Sequence, residues 1–230
     1  EISLGLVGSE MCIRDRPIIE EANYGGNAYG WTYPNEYLRS LYDKDKDKRL
    51  QFYFYPDTLY GNNPASAYYE KKLPGDPPYS TQLRQYTWSL MKYRDLSKPA
   101  KRALSYKPFI AYRLADTYIL GAEAHWRKGN TEKALEYLNA IRLRAGLEEA
   151  TTIDLQAIMD EYARELCFEG KRWFFLKRIG KLVEQVNKYH RFGSTTSSIQ
   201  GTTMKDYMVR WPIPQAQIDA MGTFPQNPQY

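Results

Sequence analysis

Glu161-Tyr-Ala-Arg-Glu-Leu-Cys-Phe-Glu-Gly-Lys-Arg-Trp173 is the stretch that decides how this chain folds. Leu155, Met159, Tyr162 and Leu166 recur at three and four residues, an apolar stripe that starts a helix after Thr151-Thr152 and is interrupted at Gly170. Glu165 and Glu169 stand four apart and therefore share one face of that helix. Two carboxylates on one face invite an acid/base reading, but such a pair needs a cleft and environments that push the two pKa values apart. Here Arg164 and Arg172 stand beside them, so ion pairing and satisfaction of a helix end account for all four charges.

Helical periodicity continues in both directions. Upstream, Tyr112, Ala115, Ile119, Ala122 and Trp126 share one face, and Gly129-Asn130 breaks the run. Thr131-Glu132 caps a second helix, with Ala134, Leu138, Ile141 and Ala145 on its apolar face and Gly146 as its stop. Residues 110–146 thus read as an antiparallel helical hairpin, in which alanines permit close approach and Trp126 and Tyr137 fill the gaps. Gly129, Ala134 and Leu138 make it similar to one tetratricopeptide unit, and one unit cannot bury a solenoid core alone. Downstream, Trp173, Leu176, Ile179, Val183 and Val186 predict a further amphipathic segment. Residues 190–203 read as an exposed polar loop, and Met208 to Tyr230 as an extended, Pro-rich tail.

Residues 17–108 differ in kind. Pro34, Pro56, Pro64, Pro74, Pro77, Pro78 and Pro99, with the turn signals Gly25-Gly26, Gly61-Asn62-Asn63 and Pro74-Gly75-Asp76, predict a loop-rich region. A short helix is expected from Asn35 to Tyr42, and the aromatic run Gln51-Phe-Tyr-Phe-Tyr55 reads as a strand. More than half of the aromatic residues fall in this region, and 21 tyrosines in 230 residues call for an explanation by packing or by binding. The fold class expected is mainly α, with tetratricopeptide-like hairpins and long irregular loop insertions, divided into 17–108 and 109–230.

The first sixteen residues, above all Val7-Gly-Ser-Glu-Met-Cys-Ile-Arg-Asp15, resemble a translated sequencing-adapter read-through and are set aside from the fold. The natural protein is then expected to extend upstream. Ser9-Glu10-Met11 before Cys12 is not the small, neutral run of a lipoprotein cleavage site, and Ile2 to Val7 is too short for a signal core. No apolar run approaches the roughly 20 residues of a membrane-spanning helix. The net charge of +5 comes from 32 basic and 27 acidic residues that are mostly interleaved, which argues against a nucleic-acid partner. Cys12 and Cys167 define neither a disulfide framework nor a zinc site.

Several ordered motifs resemble the SusD/RagB family. Tyr112-Arg-Leu-Ala-Asp-Thr-Tyr118 with Gly121-Ala-Glu-Ala124 is similar to one of its helices, and Ala134 to Gly146 to the next. The opening stretch resembles its E-R-x-x-E-L-x-F-E-G-x-R signature, and Trp211-Pro-Ile-Pro214 and Gln226-Asn-Pro-Gln-Tyr230 its closing elements, with Lys92-Tyr-Arg94 a weaker match upstream. The departures are Tyr162 for a basic residue, Phe175 for an acidic one and Gln229 for glycine. The resemblance implies a non-enzymatic, surface-exposed outer-membrane lipoprotein that captures glycans and hands them to a SusC-like TonB-dependent transporter. It implies no cofactor. The lipid anchor and further helix pairs would lie in an N-terminal part outside this chain, as could some of the binding residues.

Sugar rings have apolar C–H faces and polar rims, so their sites combine aromatic platforms with hydrogen-bonding side chains. Tyr24, Asn27, Tyr29, Trp31 and Tyr33 supply both within ten residues, with Trp31 the leading candidate. Trp88 and Asn62-Asn63 are second choices. The alternative is that these aromatics pack loops onto the helices. A second functional reading is a tetratricopeptide-type adaptor for a protein or peptide. Asp43, Asp45 and Asp47 open like a calcium loop, but Lys48 and Phe54 stand where glycine and glutamate are needed, so a solvated charged turn is expected. His125 and His190 form no ligand pair, and no nucleophile has an obvious base.

Overall fold

The computed structural model describes residues 34–54, 64, 69–71, 88, 90–97, 105–108, 110–189, 203–222 and 224–230. These divide into two units, Glu1–Gly170 and Lys171–Tyr230. Among the described residues the protein is mainly α-helical, with no extended strand.

In the first unit, α1 (Glu36–Ser40) begins where the Asn35 side chain accepts the Leu38 N–H. The aromatic run expected as a strand instead enters a second short helix, α2 (Arg49–Tyr53). Phe54 then adopts extended geometry and makes an isolated antiparallel bridge to Leu90. The local preference of aromatics for strands is overridden by tertiary contacts: a helical turn at Arg49 lets its guanidinium face Glu161 while Phe54 enters the core and Phe52 stays exposed. Tyr42, Phe54 and Trp88 pack with ring centroids 5.5–6.2 Å apart, and Phe168 stacks edge-on against Phe54.

The hairpin forms as expected from α3 (Leu114–Arg127) and α4 (Thr131–Arg144), and α3 also packs on α5 (Leu155–Glu165). Gly129 turns the chain with φ +76, which costs glycine nothing. Asn130, one residue earlier than expected, is the cap, its side chain accepting the Lys133 N–H. Ala115, Ile119 and Ala122 are buried against Ala134, Leu138, Ile141 and Ala145, but Tyr112 precedes α3 and is 83% exposed rather than part of its buried stripe. Tyr137 lies over Gly121, where a Cβ would come within 2.8 Å of its ring, and also stacks on His125. Here the small residue is required for close approach.

α5 is capped by Asp154, which accepts the Ala157 N–H, and its Met159 and Tyr162 are buried, as is Leu166 just beyond its end. In the second unit, the segment read as one amphipathic run is two helices, α6 (Arg172–Arg178) and α7 (Leu182–Tyr189), separated at Gly180 with φ +71. Residues 190–202 of the expected loop lie outside the described residues. The tail is not wholly extended: a 3-10 turn covers Asp206–Val209 and α8 spans Gln215–Met221. The Gln226 amide holds both the N–H and the C=O of Ile213, Asn227 Nδ2 donates to the Trp211 carbonyl, and the Tyr230 hydroxyl donates to that of Arg210.

Gln229, standing where the family resemblance expects glycine, has φ +75. A side chain in that region costs about 1–2 kcal/mol, partly offset by the freedom glycine loses on folding. Gln229→Gly is therefore expected to stabilise the tail by up to about 1 kcal/mol, seen as roughly fivefold slower hydrogen exchange at the Tyr230 amide, which bonds to the Asn227 carbonyl.

Candidate functional site

The charged face of α5 is the chemical centre of the first unit. Helical spacing places Glu161 and Glu165 on one side, Glu169 follows just past the helix end, and the chain brings basic groups to them from four directions. Arg49 on α2 donates to Glu161 (2.6 Å), to Glu165 (3.1 Å) and to Asp47 (2.8 Å). Arg113, extended just before α3, donates to Glu165 and forks onto Glu169. Arg144 at the end of α4 reaches Glu165, and Arg164 within α5 reaches Glu161. Lys92 donates to Glu169 and to the carbonyls of Glu165 and Cys167, completing acceptors that the helix end leaves open.

Tyrosines finish the arrangement. Tyr53 donates to Glu165, Tyr37 to Asp160, Tyr42 to the Arg164 carbonyl and Tyr93 to that of Phe168. Part of the tyrosine excess is thus explained by packing: four phenols from the loop-rich region dock it onto α5 and the residues after it.

Burial by itself pushes the Glu165 carboxyl up, but the hydrogen bonds and charges of Arg113 and Arg144 outweigh it and bring it down to about 2. Glu161 and Glu169 are also lowered against burial, Glu161 by Arg49 and Arg164 and Glu169 by Arg113 and Lys92. All three carboxylates shift the same way, unlike the divergent pair that acid/base catalysis uses. Depressed carboxyls contribute stability that is complete above their unfolded pKa and drains away as pH falls through the folded one. Urea midpoints are therefore expected to hold above about pH 4.5 and to fall progressively towards pH 2, with a shallower fall in Glu165→Gln.

Tyr24, Asn27, Tyr29, Trp31, Tyr33 and the Asn62-Asn63 pair lie outside the described residues. Trp88 is 4% exposed, in the aromatic cluster with Arg39 over its ring, and offers no open face. Asp43 and Asp45 are exposed, with Asp43 accepting the N–H groups of Asp45 and Lys46, as a charged turn should. Asp47 corrects that reading, being buried against Arg49. Among the described residues no group of His, Cys, Asp or Glu could hold a metal, and no helix is long and apolar enough to cross a membrane. Sequence reasoning missed Arg49, whose charge run concealed its inward role. Arg113 and Lys92 were present only as letters of family motifs.

A helical hairpin joined to a signature helix whose carboxylates are boxed by arginines defines the class: the chain belongs to the SusD family, whose sequence profile matches residues 14–230. It is 33% identical over 140 residues to the starch-binding protein SusD of Bacteroides thetaiotaomicron, covering 60% of this chain and 24% of that protein. It is 32% identical over 118 residues to the SusD-like protein P25 of Formosa agariphila, covering 47% of this chain and 21% of that one. Among solved structures, surface glycan-binding protein A from Bacteroides thetaiotaomicron matches 99% of this chain and 46% of its own, at a TM-score of 0.66 and 23% identity. The same protein in complex with laminarihexaose superposes equally well, with a TM-score of 0.66. The matched regions thus span about a quarter of the curated relatives and about half of the solved chain.

Proposed function

We propose that this protein captures glycans without turning them over and delivers them to a SusC-like TonB-dependent transporter. On this reading it works at the outer-membrane surface, tethered by a lipid anchor. The observation that carries the reading is family membership over residues 14–230, together with relatives named for binding starch and laminarin-type sugars. The boxed carboxylates of α5 support a scaffold role rather than a catalytic one, since each is committed to a guanidinium or ammonium group. The aromatic segment from Tyr24 to Trp31 and Tyr33, with Asn27, is the proposed sugar platform.

Calorimetric titration with soluble polysaccharides, alongside an assay for released reducing ends, tests this. The expected result is binding without product and about tenfold or greater loss of affinity in Trp31→Ala. Product formation, or no binding to any glycan tested, would overturn it. The adaptor reading draws on the α3–α4 hairpin, in which Leu114 and Leu120 are exposed, and it predicts peptide rather than sugar binding.

A further inference from the structure

We propose that Arg144, backed by Arg113, forms an anion site that takes the carboxylate or sulfate group of an acidic glycan. Three observations point to it. The α5 network is not neutral: among the described residues Arg49, Lys92, Arg113, Arg142, Arg144 and Arg164 are paired with four carboxylates, leaving two positive charges in excess. The excess emerges at one place, because the Arg144 side chain is 56% exposed whereas the other five cations are 21% exposed or less.

The donors are also available. Arg144 Nη2 is spent on Glu165 Oε1, while its Nε and Nη1 have no protein partner among the described residues. Arg113 Nη1 shares that same oxygen, so two guanidinium groups are held within one carboxylate oxygen's reach of each other. Like charges this close repel, and Glu165 already serves Arg49 and Tyr53 as well. A second anion approaching from the solvent side relieves that repulsion and meets a planar guanidinium edge fixed in place by Glu165, the geometry carboxylates and sulfates favour. Neutral sugars gain nothing comparable there. The site thus confers a preference for charged glycans.

This inference rests on the glycan-binding reading above, and the test separates the two. Laminarihexaose, hexagalacturonate and a sulfated carrageenan hexasaccharide are titrated into wild type, Arg144→Gln and Arg144→Lys, and melting is followed with and without inorganic sulfate. Glu165 keeps Arg49 and Arg113 in either variant, so both are expected to fold. The expected result is about tenfold weaker binding of an acidic sugar to Arg144→Gln, partial rescue in Arg144→Lys, weakening by salt in wild type, and unchanged laminarihexaose binding. Sulfate raises the melting temperature of folded proteins generally, so the informative quantity is the extra rise in wild type over Arg144→Gln. Equal acidic-sugar affinity in wild type and Arg144→Gln, or laminarihexaose binding with no acidic-sugar binding, overturns this inference and leaves glycan capture standing. Failure of all three sugars removes the glycan reading and this inference with it, and an Arg144-dependent sulfate effect would then mark an anion site with no glycan role.

Discussion

Replacing Glu165 with glutamine is expected to cost the first unit about 3–5 kcal/mol, the scale on which a buried ion pair is broken by removing one partner. The size follows from what would be left behind. Glu165 is fully buried and receives donors from Arg49, Arg113, Arg144 and Tyr53. A neutral amide of the same shape keeps the volume but leaves three guanidinium groups facing one another with one carboxylate fewer. Arg144 can swing into water, whereas Arg49 cannot. Urea unfolding monitored by circular dichroism should show a large drop in midpoint with an unchanged slope. Glu136→Gln, which breaks an exposed pair with Lys133, should shift the midpoint little. A small shift in Glu165→Gln would mean that water reaches the cluster and that the network contributes little to the fold.

Trp88→Ala is expected to be comparably damaging, at about 3–5 kcal/mol, because it opens a cavity between Tyr42 and Phe54. Trp88→Phe should cost far less. The indole Nε1–H is buried with no acceptor among the described residues, so a ring without that donor removes a desolvated polar group while keeping most of the apolar contact. The two variants separate packing from sugar stacking. If Trp88 serves the core, stability falls in Trp88→Ala and glycan affinity of the folded fraction does not. If affinity falls with stability intact, Trp88 serves the sugar rather than the core.

How far the sequence could be read depended on how local the information was. The α3–α4 hairpin was legible because Ala115, Ile119 and Ala122 face Ala134, Leu138 and Ile141, a pattern carried within one short stretch of chain. The cap position was misread by one residue because Asn130 and Thr131 are both competent caps. The run at 51–55 was misread for a deeper reason. Its aromatics favour a strand when considered alone, yet Arg49 has its partner Glu161 more than a hundred residues away. In the same way, Trp88 looked like a loop aromatic until Tyr42 and Phe54 enclosed it.

The sequence by itself determined the family, the helical character and that Glu165 and Glu169 are ion-paired, since these follow from ordered motifs or spacing, but it offered the adjacent Arg164 as a partner, and Arg164 pairs with Glu161 instead. It determined helix faces because helical period is a property of neighbours in the chain. Only the tertiary structure decided which arginines answer which carboxylates, that Asp47 and Arg49 turn inward, and that Arg144 is the most exposed cation of the α5 network among the described residues. Ion pairs between distant segments leave no periodic trace, and whether a charge is exposed depends on every element packed around it.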